Sequence, residues 1–192
     1  MNSALSGSAP GVGVRDFPHV GERMRVAYAD LWLAGAIRHE EDAQTLGLAD
    51  GLPRPWDPAT GHEPRLRREG WQWLDQVVDW INAECAWNVD DLIPECWYLH
   101  PHLVHELGTV ADQRLRAGAA HISDDLEAWQ RYCLPSFLER KRRRIGSTCE
   151  YQHKDPPGRA RILRYSAAES VQARQAWFDS EVGKASAHPD RT

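Results

Sequence analysis

The stretch from Arg65 to Ala86 limits the fold more than any other. Leu66, Gly70, Trp73, Leu74, Val77 and Ile81 recur at helical spacing, and Trp71, Val78 and Cys85 widen the stripe. So broad an apolar face belongs to a central helix that other elements must cover. Six of the nine tryptophans (Trp71, Trp73, Trp80, Trp87, Trp97 and Trp129) fall between residues 71 and 129. Large rings at that density put the core there. Trp73, Val77, Trp80 and Ile81 are expected to be buried, with Leu103, Leu107 and Trp129 against them. Gly70 costs about 1 kcal/mol relative to Ala in a helix, so its place in the stripe implies close approach of another helix.

The other segments arrange themselves around that helix. Residues 1–20 are rich in Gly, Ser, Ala and Pro without periodicity and read as a disordered lead. From Glu22, the residues Met24, Tyr28, Leu31, Trp32 and Ile37 predict one helical face, closing near Leu46-Gly47. Prolines and glycines forbid a regular element over residues 47–64, where a buried Trp56 ring is expected to pin the loop. His100 precedes Pro101 and is therefore extended, and Pro101 suits the first turn of a helix. That helix carries Leu103, Val104, Leu107, Val110, Ala111 and Leu115 and ends around Gly118. Ser123 or Asp124 can cap the next one, which turns Leu126, Trp129, Cys133, Phe137 and Leu138 inward. Pro135 predicts a kink near Arg131 or a break. Gly146 stops that helix, and Ser166-Ala167-Ala168-Glu169 is a capping box opening a last one.

No convincing strand appears. The chain reads as all-α: a single compact domain of four to five packed helices over residues 21–155. The lead occupies 1–20, and a basic extension with one short helix occupies 156–192.

Charge is unevenly divided. Of a net −5, residues 1–139 hold 11 Lys+Arg against 22 Asp+Glu, or −11, while residues 140–192 hold 12 against 6, or +6. No apolar run approaches the ~18 residues of a membrane span. The N-terminus lacks the basic and apolar regions of a secretory signal. Four cysteines in such a chain imply reduced thiols or metal ligands and a cytoplasmic setting.

One block stands apart in chemistry: Ile93-Pro94-Glu95-Cys96-Trp97-Tyr98-Leu99-His100-Pro101-His102-Leu103-Val104-His105-Glu106. Together with Trp73-Leu74, Val77-Val78, Trp80-Ile81-Asn82, Trp129, Cys133-Leu134-Pro135, Cys149 and His153, it resembles a family of uncharacterised actinobacterial proteins, a domain of unknown function. The family is often encoded on plasmids, integrative elements and phages. The resemblance spans about residues 53–155, with Cys-Trp-x-x-His-Pro its most specific part. It implies a mobile-element setting and carries no established activity.

Read for chemistry alone, Cys96-x3-His100 and Cys149-x3-His153 are two copies of one spacing. Two such pairs from separate segments can supply the four N/S ligands of a structural zinc ion. The bland alternative makes Cys96 a small core residue and His100 a helix cap. Cys96 with His100, His102 and His105 could form a nucleophile–base pair, but sequence neighbours seldom do. Arg140, Lys141, Arg142, Arg143 and Arg144, with Lys154, Arg159, Arg161 and Arg164, could track phosphates. They could equally neutralise the acidic body and complement a helix C-terminus. No base-reading motif accompanies them. The sequence thus points to a non-catalytic accessory or regulatory protein of a mobile genetic element, binding a protein or nucleic acid without sequence preference. The alternative is a metal- or cysteine-dependent enzyme.

Overall fold

Glu63 starts the central helix. In the computed structural model, which describes residues 13–38 and 51–186, its carboxylate accepts the backbone N–H groups of Arg65 (2.9 Å) and Leu66 (2.6 Å). These two bonds hold the Glu63 carboxyl below the usual carboxylate range. Pro64 follows in the first turn, where its missing N–H costs nothing. In chain order the helices are α1 (Glu22–Arg38), α2 (Pro64–Glu84), α3 (Pro101–Gly118), α4 (Asp124–Ala128), α5 (Leu134–Arg144), α6 (Arg159–Tyr165) and α7 (Ala168–Ser186). Single 3-10 turns cover Val89–Asp91 and Trp97–Leu99. No strand occurs among the described residues, so the all-α reading holds. None of the described helices is long and apolar enough to cross a membrane.

The chain divides into two units, Met1–Gln152 and His153–Thr192. In the first, α2 buries Leu66, Trp73, Leu74, Val77, Val78, Trp80 and Ile81. Helix α3 answers with Leu103, Val104, Leu107, Val110 and Ala111, and α5 with Phe137 and Leu138. Trp129 is buried; its indole N–H donates to the Val110 carbonyl (2.9 Å) and its ring lies 6.3 Å from that of Trp80. The expected core is therefore the observed one. The Arg114 guanidinium sits over Phe17, Trp80 and Trp129 at 5.0, 5.5 and 5.8 Å, a cation held on three ring faces.

Several expectations need correction. Residues 15–18 do not behave as a disordered lead. The Trp80 indole donates to the Arg15 carbonyl and the Trp73 indole to the Pro18 carbonyl, both at 3.0 Å. Phe17 meets both rings edge-on. Two buried indole N–H groups need acceptors, and this Gly-poor end of the lead supplies them. On α1, Met24 and Ala27 are buried while Trp32 is 75% exposed, so the inward face is narrower than expected. The expected close of this helix near Leu46-Gly47 lies outside the described residues. Gly70 has open space where a Cβ would stand. The close approach is at Gly108 instead, where a Cβ would come within 2.1 Å of the Trp56 carbonyl oxygen. That backbone contact, with the Trp56 ring 6.0 Å from Tyr28, pins the Pro-rich loop. The interruption expected near Arg131, or just before Pro135, takes the form of a widened turn. Residues Trp129–Cys133 form a π turn between α4 and α5, in which the Leu134 N–H reaches the Trp129 carbonyl. Widening the turn absorbs the missing donor and the ring of Pro135.

In the second unit two helices form where one was expected. Helix α6 occupies part of the region read as irregular, and α7 begins at Ala168 as the capping box implied. The Arg174 guanidinium lies 3.8 Å from the centre of the Tyr165 ring and links the two.

Candidate metal centre

Three local devices place the Cys-Trp-x-x-His block. Asn82, half-buried in the last turn of α2, bonds Ile93 twice: its amide N–H donates to the Ile93 carbonyl (3.0 Å) and its carbonyl accepts the Ile93 N–H (2.8 Å). One side chain thus satisfies both backbone groups of an irregular residue. Next, Asp91 accepts the Asn88 N–H (3.0 Å) and closes the preceding turn. Finally, α5 grips that turn: the buried Lys141 ammonium donates to the Asp90 carbonyl (2.9 Å), and Arg142 pairs with Asp91. The Arg142 bond, followed by the Asn88 donors, holds the Asp91 carboxyl below its ordinary range despite burial. Burial in turn lowers the Lys141 ammonium from the usual lysine value.

The same end of α5 delivers Cys149. Its last turn closes on Ile145, and Gly146 takes φ +51°, the left-handed conformation that ends helices. Two tight turns follow, through Thr148 N–H to the Ile145 carbonyl and Glu150 N–H to the Ser147 carbonyl. They bring Cys149 back into the core, where it is 8% exposed.

Cys96, His100, Cys149 and His153 come together there. One ligand atom from each lies within 4.8 Å of all the others. The His100 Nε2 is 3.5 Å from the Cys96 Sγ and 3.4 Å from the Cys149 Sγ. His100 and Cys149 are buried, and Cys96 and His153 partly so. His153 is tied to Cys149 by three intervening residues. His100 is the N-cap residue of α3, yet its side chain makes no capping bond. The ring turns to the sulfurs instead, so the helix-cap alternative fails. No disulfide occurs among the described residues, and Cys85 and Cys133 stand apart from the cluster. Burial first, and then the nearness of Cys149, push the Cys96 thiol up.

The donor set fits a small tetrahedral ion. At about 2.3 Å to sulfur and 2.0–2.1 Å to nitrogen, tetrahedral ligands stand about 3.3–3.8 Å from one another. Both observed N–S separations fall inside that range. A Cys2His2 cluster of this kind can hold a metal ion.

Other predicted residues are placed differently. His102 packs edge-on to His100 with ring centres 5.7 Å apart, and burial lowers its pKa. His105 is exposed, 3.9 Å from Asp57. The five cations of the basic run are already engaged within the chain. Arg140 and Arg144 pair with Glu106, Arg142 with Asp91 and Glu139, Arg143 with Glu139, and Lys141 with the Asp90 carbonyl. On α6, Arg159 pairs with Asp155 (3.3 Å) and Arg164 donates to the Ala160 carbonyl (3.4 Å), while Arg161 makes no ion pair among the described residues. Sequence reasoning missed Asn82, whose only signal is an amide placed in an apolar helical pattern. Comparison with family models, curated proteins and solved structures returned no match.

Proposed function

We propose that this chain is a non-catalytic binding module whose fold is stapled by one structural Zn²⁺ on Cys96, His100, Cys149 and His153. The observation that carries it is the convergence of four ligand atoms within 4.8 Å. Thiolate and imidazole donors suit zinc, and four protein ligands close its shell, leaving no position for water or substrate. Bound there, zinc supplies cross-linking between the chain after α5 and the start of α3. The protein's own residues do the rest: Asn82 and Lys141 orient the two segments, and the core excludes water from Cys149. Asp155 lies 3.6 Å from the His153 Nε2, on the side where a carboxylate steadies a histidine that ligates through its other nitrogen.

A closed site argues for binding over catalysis. Internal engagement of Arg140 to Arg144 favours a protein partner over nucleic acid, because most of those charges already have acidic neighbours. In the setting implied by the family resemblance, the chain serves a mobile genetic element as an accessory or regulatory protein. Metal analysis of the purified protein tests the reading. One zinc per chain is expected, falling to well below half in Cys96→Ser. Zinc-free protein that gains no thermal stability from added Zn²⁺, or full zinc in Cys96→Ser, would overturn it.

A further inference from the structure

The 3-10 turn between the ligands Cys96 and His100 also builds one side of a cleft. Trp97 and Tyr98 from that turn, with Trp71, Gln72 and Asp75 from α2, line an open and mostly apolar hollow of about 420 Å³. Trp97 is buried at the edge of the hollow, while Tyr98 is 57% exposed. Their rings stand at 90°, and the Trp71 ring is inclined 39° to Trp97 at 5.7 Å. Three side chains of the lining can accept hydrogen bonds, the Gln72 amide, the Tyr98 hydroxyl and the Asp75 carboxylate, and only the last carries charge. Asp75 makes no hydrogen bond or ion pair among the described residues. Its neighbours along the fold are satisfied: Asp79 by Arg15, Asp91 by Arg142 and Asp112 by Arg116.

We propose that this cleft binds the guanidinium group of an arginine presented by a partner polypeptide. Three chemical features select that occupant. Aromatic faces attract cations, and a planar, weakly hydrated guanidinium stacks on them better than a compact ammonium does. An unpaired carboxylate beside the rings accepts the N–H fork of arginine, which a quaternary ammonium cannot offer. The hollow is larger than one guanidinium and opens broadly to solvent, so flanking backbone fits beside the anchored side chain. The −11 charge of residues 1–139 favours the approach of a basic segment. This deepens the binding-module reading by naming what the module holds.

The test uses the full chain, purified with Zn²⁺ present and labelled with ¹⁵N, and follows the indole N–H signals of Trp71 and Trp97. The probes are the blocked tripeptides Gly-Arg-Gly and Gly-Lys-Gly, tetramethylammonium and free arginine. Gly-Arg-Gly is expected to give saturable shifts of both indoles. Asp75→Asn and Tyr98→Ala should each weaken it by about tenfold or more, with helicity unchanged because both side chains are at the surface. Asp79→Asn, one turn further along α2, should leave it unaltered. Absence of a saturable shift, an equal response to the lysine or ammonium probe, or undiminished binding by Asp75→Asn would overturn the proposal. Tighter binding of free arginine than of the tripeptide would overturn the polypeptide source. Zinc is measured on the same samples. Full zinc without arginine binding removes the cleft alone, and arginine binding without zinc removes the metal reading alone.

Discussion

Trp80 illustrates how much one side chain holds in place. It is 7% exposed, donates to Arg15, meets Phe17 edge-on and supports Arg114 and Trp129. Trp80→Ala should cost about 3–5 kcal/mol through lost burial and residual cavity. Chemical denaturation showing a loss below about 1 kcal/mol would remove it from the core. Gly108 makes the opposite test. A methyl there meets backbone, not a flexible side chain, so Gly108→Ala should destabilise by about 1–3 kcal/mol through overpacking. Asp91 sets a pH dependence. Its carboxyl is held low in the folded protein, chiefly by Arg142. The group therefore stabilises the fold above its unfolded pKa of about 3.9 and loses that contribution as pH falls through the folded value. Acid unfolding monitored by circular dichroism should shift to higher pH in Arg142→Gln, and an unchanged midpoint would contradict the pairing.

Among the elements, α5 carries two kinds of cation that look alike in sequence. Lys141 is 2% exposed and bonded to the Asp90 carbonyl, whereas Arg143 lies at the surface with its side chain 76% exposed. Lys141→Ala should cost about 1–3 kcal/mol, the penalty for leaving a buried partner unmade. Arg143→Glu should stay within about 0.5 kcal/mol. Thermal denaturation of the two variants checks the difference, and equal effects would mean the run acts only as bulk charge. The sequence displays five positive residues without saying which one turns inward, because helical phase there depends on the π turn upstream. The helix stripes over residues 66–81 and 103–115 were legible since their apolar spacing is long and regular. The lead at 15–18 was not, because two of its contacts are made by backbone carbonyls, which leave no mark in residue type, and Phe17 stands alone without an apolar period. Gly70 misled for a related reason: a glycine in a stripe signals close approach only if something approaches, and the approach falls on Gly108.

At the scale of the whole molecule, the repeated Cys-x3-His spacing was legible as four ligands, but their convergence was not. It depends on the Asn82 and Lys141 anchors and on the Gly146 turn, all far from the motif in sequence or in character. If zinc closes this site, folding and metal binding are linked. A chelator should lower the melting temperature of the wild type and leave His153→Ala, already short of a ligand, with a smaller loss. Metal binding also requires deprotonated thiols, and the metal-free Cys96 thiol is raised by burial and by Cys149. Zinc affinity should therefore fall as pH falls, with proton release on binding. The most direct measurement is zinc-edge X-ray absorption on the purified, zinc-loaded chain. Two sulfurs at about 2.3 Å and two nitrogens at about 2.0–2.1 Å are predicted. A shell of nitrogen and oxygen alone, or one keeping both sulfurs in Cys149→Ser, would contradict the zinc-stapled fold.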